Sequence, residues 1–330
     1  MLIRISWDPR QWFKKKVIKP PGIVSICLME TGVAIAYGTT DSPEQKVTIK
    51  KADFAPLAPA EQFGFIRGWL ERNKLMHATC HLVLAHHDYE LELVETPPVA
   101  DNELAEAVRW RCKDVLSTPI SDAVLEIIPL PKDAYRGRMD MLYVTAIDRT
   151  RLKNKIQFIR NIGLDLQVID IYEMALRNLA LYLPEMMSGT VALLELKENN
   201  GTLYMYSHNN LYLTRNIELG FSSFVHTEQA FQLDDDVMLD RLALDLQRSL
   251  DYYESQLGKG ITSKLYILPF ESEVIDLSEE LQNRLSVKIQ LYDAKKTLPL
   301  SSLTTWPPHY SAYILPALGG VLRRVEDATG

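Results

Sequence analysis

Residues Ile23–Tyr37 read IVSICLMETGVAIAY: an apolar run, a polar Glu30-Thr31-Gly32 break, and a second apolar run. A short run rich in β-branched residues reads as a buried strand, and a glycine between two such runs reads as a tight turn. The stretch is therefore a hairpin. Val191–Tyr206, VALLELKENNGTLYMY, repeats the plan, with a turn at Glu198–Gly201 and Glu195 in a place similar to that of Cys27. Two hairpins far apart, each opening a run of alternating strands and helices, point to an α/β protein with two similar lobes.

Working outward, Pro20-Pro21-Gly22 separates a tail from the first hairpin. Val47–Ile49 adds a third strand, and Glu61–Asn73 a helix with Phe63, Ile66, Trp69 and Leu70 on one face. His81–Val94 reads as one long strand ended by Thr96-Pro97-Pro98. Asp101 or Asn102 is placed to cap a helix running to about Leu116. Strands at Ala123–Ile128 and Met141–Ile147 follow, so 81–147 is strand, helix, strand, strand and looks inserted. Arg149–Ile162 is a helix stopped by Gly163, Leu166–Ile169 a strand and Tyr172–Leu183 a helix. After the second hairpin come a strand at Tyr212–Ile217 and a long helix at about Val237–Leu257. The Asp234–Asp236 run offsets the positive end of that helix rather than binding a cation. Leu265–Leu268, Ser278–Leu285, Val287–Leu291 and a last helix at Ser311–Arg324 complete the chain.

The 330 residues carry 36 Lys and Arg against 43 Asp and Glu, a net charge of -7, which gives no support to a nucleic-acid role. The charge is uneven. Residues 1–19 hold Arg4, Arg10, Lys14, Lys15, Lys16 and Lys19 against Asp8 alone, a net of +5 that leaves −12 for the rest. Trp7, Trp12 and Phe13 lie among these cations, a composition suited to peripheral contact with an anionic membrane; a solvated tail is the plain alternative. Three cysteines with no CxxC fit a reducing compartment. No run of about 18 apolar residues reads as a membrane span.

Common catalytic patterns are missing: no GxxxxGK[ST], no GxSxG, no HExxH. His77, Cys80, His81, His86, His87 and Asp88 lie close in sequence, but alternation along a strand would put His86 and His87 on opposite faces, so no metal is expected.

Three segments carry a family resemblance: Ala107–Leu116 (AVRWRCKDVL) with Pro119 and Ala123–Glu126, Val168–Ala180 (VIDIYEMALRNLA), and Leu242–Ser255 (LALDLQRSLDYYES). In order and spacing they resemble the MshI and PilM-like family of pilus biogenesis proteins, over most of the chain from about residue 20. The resemblance implies an actin-like (ribonuclease H-like) two-lobed fold related to FtsA, with an inserted SHS2-type subdomain. It divides the chain into a tail (1–22), first lobe (23–77), insertion (78–165), first-lobe return (166–188), second lobe (189–308) and C-terminal helix (309–330).

The same resemblance locates a nucleotide site. Actin-like folds bind ATP at two Asp-x-Gly turns and a glycine pair, where the glycines admit phosphate to the backbone and the carboxylates organise a metal's waters. Here Cys27 and Met29 stand for the first Asp and Gly. Glu195 and Lys197 stand for the second pair, and Pro269-Phe270 for Gly-Gly. Pro269 lacks a donor, while Met29 and Phe270 are bulky. The expectation is a non-catalytic cytoplasmic scaffold, without cofactor, peripheral to the inner membrane. Its implied partners are the cytoplasmic tail of a PilN-like single-pass protein, held between first lobe and insertion, and other pilus platform proteins. Trp110 and Tyr143 are the candidates for that contact. An actin-like ATPase or switch, and a GspL-like component of a type II secretion platform, are the alternatives; dimerisation stays open.

Overall fold

A computed structural model describes residues 19–40, 47–187, 189–224, 233–270, 276–302, 304 and 311–323. In chain order the elements are β1 (Ile23–Met29), β2 (Gly32–Thr39), β3 (Thr48–Ala55), α1 (Pro59–Arg72), β4 (Thr79–Leu84), β5 (Glu90–Glu95), α2 (Leu104–Arg111), β6 (Ala123–Pro129), β7 (Met141–Asp148), α3 (Arg149–Ile162), β8 (Asp165–Ile171) and α4 (Tyr172–Ala180). The second half holds β9 (Thr190–Leu196), β10 (Gly201–Ser207), β11 (Asn210–Ile217), α5 (Leu233–Tyr252), β12 (Thr262–Ile267), α6 (Leu277–Gln282), β13 (Ile289–Leu291), α7 (Ala294–Thr297) and α8 (Ser311–Leu322).

Two five-stranded sheets share one plan. The first runs β3-β2-β1-β4-β8 and the second β11-β10-β9-β12-β13. In each, a three-stranded antiparallel meander is followed by two strands parallel to its first. This is the duplicated α/β plan of the actin-like fold, and both hairpins lie where the apolar runs placed them. β1 and β9 are the middle strands and are buried on both faces, which is why they read as continuous apolar runs.

α8 packs against α4 and the first sheet. A Cβ on Gly319 of α8 would lie 2.0 Å from the Ala175 carbonyl of α4, so only glycine permits this approach. Asn178 Nδ2 donates to the Gly319 carbonyl at 3.1 Å. The next residue, Gly320, offers its carbonyl to His81 Nδ1 at 2.8 Å, docking α8 onto the first sheet.

A third sheet, β5-β7-β6, is inserted between β4 and β8 and packs α2 through Val94, Val108, Cys112, Leu142 and Val144. This is the strand-helix-strand-strand unit. It also reaches the second lobe: Tyr143 Oη accepts the Thr214 amide at 3.2 Å, and Asp133 pairs with Lys259.

Several expectations are corrected. His81–Val94 is two strands in two different sheets, broken by a 3-10 turn at His86–Asp88, because the Asp88 carboxylate turns back to accept the Ala85 amide at 3.0 Å. β4 therefore belongs to the first sheet rather than to the insertion at 78–165. Residues 299–301, assigned to the second lobe, run along the outer edge of β3, with the Ile49 amide donating to Pro299 O and the Ser301 amide to Ile49 O, both at 2.9 Å. α2 starts at Leu104 after Glu103 with no side-chain cap, so neither Asp101 nor Asn102 serves. The aspartate run lies inside the first turn of α5, and Asp236 pairs with Arg284 at 2.8 Å. Tyr143 is core, at 2% exposure. α3 ends at Gly163, φ 98°, as its sequence signals.

Candidate functional site

The residues expected at a nucleotide site surround the junction of the two lobes. Cys27, on β1, is fully buried, and burial pushes its thiol up to about 12, with the Asp88 carboxylate adding to the rise. Glu195, near the end of β9, has both oxygens engaged: Tyr172 Oη donates to Oε1 at 2.5 Å and Tyr204 Oη to Oε2 at 2.9 Å. The Tyr204 oxygen in turn accepts from His86 Nε2 at 2.9 Å, and His86 Nδ1 accepts from Lys197 Nζ at 3.1 Å. This sequence of donors sets His86 as the neutral Nε2–H tautomer. Its ring lies on Tyr172, centroids 4.0 Å apart. Burial drives its pKa down to about 4, partly offset by Glu195.

Beneath this layer Glu173, the second residue of α4, is 3% exposed. Tyr89 donates to its carboxylate, and Tyr206 Oη donates to its backbone carbonyl at 2.7 Å. Burial raises the Glu173 pKa to about 7. Its Oε1 lies 3.6 Å from His86 Nε2. The junction is therefore a connected set of aromatic, imidazole, amine and carboxylate groups that bond to one another.

The second hairpin turn is braced from above. The Lys197 amide donates to Asn200 O at 2.7 Å, and the Lys197 and Glu198 carbonyls accept the Phe221 and Ser222 amides at 2.9 Å each. Gly220 is required there, since a Cβ would fall 2.3 Å from the Glu198 carbonyl. Phe270, following half-buried Pro269, stacks on Phe221 at 6.3 Å between centroids.

The first hairpin turn is different. Leu28, half-buried Met29 and exposed Glu30 border a groove of about 540 Å³ between the first lobe and α3. Pro59 and Phe158 continue its apolar wall, and His87, Arg151, Asn154 and Lys155 form the polar one. Local interactions set both walls. Gln62 Nε2 reaches the carbonyls of Met29 (2.7 Å), Gly32 (3.2 Å) and Leu57 (3.2 Å), tying the turn to α1. On the far side Asp148 caps α3 by accepting the Arg151 amide at 2.8 Å. Arg151 Nη1 donates to the His87 carbonyl at 2.7 Å, and Lys155 pairs with buried Asp88 at 2.8 Å.

Comparison with known proteins fits this geometry. No protein-family model and no curated protein matches the sequence. Among solved structures, a chain of the PilM-PilN type IV pilus biogenesis complex superposes with a TM-score of 0.67 at 18% identity, covering 91% of this chain and 98% of that one. The cytoplasmic domain of EpsL, an inner-membrane component of the type II secretion system of Vibrio cholerae, superposes with a TM-score of 0.50 at 14% identity, covering 93% and 98%. At such identities the likeness establishes a shared fold.

Of the predicted site residues, the structure brings Cys27, Glu195 and Lys197 to the lobe junction, sends Met29 to the groove, and places Pro269-Phe270 beside the second turn. Trp110 is 67% exposed on α2, with Lys113 Nζ 5.9 Å from its ring centroid. Trp7, Trp12, Phe13, Lys14, Lys15 and Lys16 lie outside the described residues. The sequence reading weighed His86 only as a metal ligand and missed the roles of Tyr172, Glu173 and Tyr204, which with His86 come from three distant segments. The signal available was Tyr204 and Tyr206 two apart in an apolar strand, since a buried tyrosine hydroxyl needs a partner. No group of three or more His, Cys, Asp or Glu side chains among the described residues is arranged to hold a metal.

Proposed function

We propose that the protein is a non-catalytic, actin-like scaffold of a type IV pilus assembly machine. It holds the cytoplasmic tail of a PilN-like single-pass inner-membrane protein in the groove between β1–β2 and α3. The observation that carries this reading is the contrast between an open groove of about 540 Å³ and a lobe junction whose polar groups are engaged with each other. An extended peptide suits such a groove: apolar side chains against Met29 and Phe158, and main-chain carbonyls toward the cationic wall. The volume lies within the few hundred to roughly 1,000 Å³ usual for binding sites.

Nucleotide is disfavoured by the same geometry. Both oxygens of Glu195 already hold a tyrosine hydroxyl, and the other position expected to carry a carboxylate is the buried thiol of Cys27, so a metal's waters would have to share Glu195 with Tyr172 and Tyr204. The chain works at the cytoplasmic face of the inner membrane, alongside other platform proteins and as monomer or homodimer; the MSHA-type pilus is the assignment its sequence resemblance favours. The likeness to the EpsL domain supports a second reading, the corresponding part of a type II secretion platform. An actin-like ATPase switch is the reading from another class.

Fluorescence anisotropy with labelled cytoplasmic tails of the PilN-like and secretion-type partners tests this. A micromolar or tighter complex with the pilus tail, unchanged by saturating Mg-ATP, is expected. Failure to bind either tail, or turnover of ATP, would sink the proposal.

A further inference from the structure

The middle strand of the third sheet, β7, is held by the second lobe near one end and leads into the groove at the other. Near its start, Tyr143 Oη accepts the Thr214 amide at 3.2 Å and donates to the Tyr212 carbonyl at 3.4 Å. At its end it runs without a break into α3, where Asp148 caps the helix. β7 is paired on both sides, to β5 and to β6, so it carries position along its length as a stiff element. The first half of α3 supplies the polar wall of the groove through Thr150, Arg151, Asn154 and Lys155. The second half is fixed separately, by Phe158 packing edge-on against Phe63 of α1 with centroids 5.7 Å apart.

The loop between β6 and β7 makes a second hold on the second lobe. Asp133 pairs with Lys259, whose ammonium also lies 4.6 Å from the Tyr212 ring centroid. Tyr135 is buried, with its hydroxyl 3.3 Å from that of Tyr252. Tyr135, Arg136 and Gly137 follow one another in left-handed backbone, φ 53°, 57° and 66°. Two successive bulky residues adopt that conformation where their surroundings impose it. Here the second lobe is shaped to the loop. α5 ends in a π-turn, Tyr253–Leu257, and Gly258 (φ 71°) brings the chain up to Arg136. A Cβ on Gly258 would lie 2.4 Å from Arg136 Cγ. Gly260 is also left-handed, φ 78°, but a Cβ there would meet nothing within 4 Å among the described residues. Backbone conformation alone calls for glycine at 260, whereas at 258 the insertion calls for it as well.

We infer that the clasp made by Tyr143, Asp133 and Arg136 with the second lobe positions the α3 wall, so that the second lobe sets how wide the groove stands. The inference rests on the groove being the peptide site proposed above. Freed of the second lobe, residues 135 and 136 return to ordinary backbone and β7 loses its fixed end. Clasp and tail are then reciprocally coupled: loosening the clasp weakens the tail, and a bound tail tightens the clasp by the same factor. A contact that served stability alone would leave the groove unchanged.

The test compares Gly258→Ala with Gly260→Ala, which impose similar backbone strain and differ in the contact with Arg136. Tyr143→Phe, which removes a hydroxyl and keeps the ring, is a second probe of the clasp. Groove width is read without peptide, as the distance between nitroxide labels at Glu30→Cys and Asn154→Cys, exposed positions on opposite walls. Cys27, Cys80 and Cys112 are buried and take no label in the folded chain. Gly258→Ala and Tyr143→Phe should broaden or lengthen the distance distribution. Without the labels, the same variants should bind the tail peptide at least fivefold more weakly by anisotropy. Gly260→Ala should keep the wild-type distances and an affinity within twofold. Circular dichroism and the thermal midpoint establish that each variant is folded. Should Gly258→Ala not fold, Tyr143→Phe decides by the same readings. Equal effects from the two glycine changes would reduce the clasp to general stability and overturn the inference. So would unchanged distances in the folded clasp variants. A tail that fails to bind wild type would count against the groove as a peptide site, while the distances still decide the clasp.

Discussion

The turn after β1 and the turn after β9 hold equivalent places in two sheets of the same strand order, yet they differ in what surrounds them. The first borders open space, and its main chain is held from behind by Gln62. The second is braced by residues 220–222, with Lys197 drawn into a chain of bonds through His86 and Tyr204 to Glu195. The two sheets present similar turns, and the side chains reaching each from distant segments decide whether it borders open space or is braced by its own chain.

The comparison breaks most visibly at Glu195. Glu195→Ala leaves the Tyr172 and Tyr204 hydroxyls without their charged acceptor, and two such bonds are worth about 4 kcal/mol. Urea denaturation should show a loss of that order, and a change below about 1 kcal/mol would mean the network is not structural.

The next effect is in pH. Glu173 has its pKa raised from 4.5 to about 7, so its contribution is fully present below pH 4.5 and is lost as pH rises through 7. His86 has its pKa lowered from 6.5 to about 4, so its contribution is present above pH 6.5 and is lost as pH falls through 4. Each window is worth about 3 kcal/mol, and between pH 4.5 and 6.5 the two oppose each other. Wild-type stability should be nearly flat there. Glu173→Gln should unmask the acid loss from His86, and His86→Asn the loss toward neutral pH from Glu173. Parallel pH profiles for all three proteins would refute the coupling.

At the groove, Asn154→Trp places a large ring in the opening from an exposed position. It should weaken the tail peptide at least tenfold, about 1.4 kcal/mol, while moving the thermal midpoint little. The smallest effect sharpens the contrast from the other side. Lys197→Gly with Phe270→Gly places glycine at two positions where an actin-like motif has it, but leaves Glu195 bound to its tyrosines. Mg-ATP should still give no saturable heat by calorimetry.

Much of the architecture could be read from local pattern. Apolar runs around a glycine turn gave both hairpins, and Gly163 marked the end of α3. Two misreadings lie where side chains act beyond the apolar pattern. The break at His86–Asp88 is closed by Asp88 on the Ala85 amide and braced by Lys155, 67 positions on, and no alternation of apolar residues announces it. The edge contact of 299–301 with β3 has the same non-local origin. At the junction, the departures of Cys27, Met29, Lys197 and Pro269-Phe270 from an actin-like motif could be read by comparison. The bonded network there could not, because His86, Glu173 and Tyr204 acquire their roles only from one another.

The measurement that bears most directly on the central claim is hydrogen–deuterium exchange of the full chain, alone, with tail peptide and with Mg-ATP. Peptide should slow exchange at the β1–β2 turn and the first half of α3 and leave 195–204 unchanged, while Mg-ATP changes neither. Protection at 195–200 and 268–270 on adding Mg-ATP would contradict the account, because it would place a ligand where the structure has its own side chains.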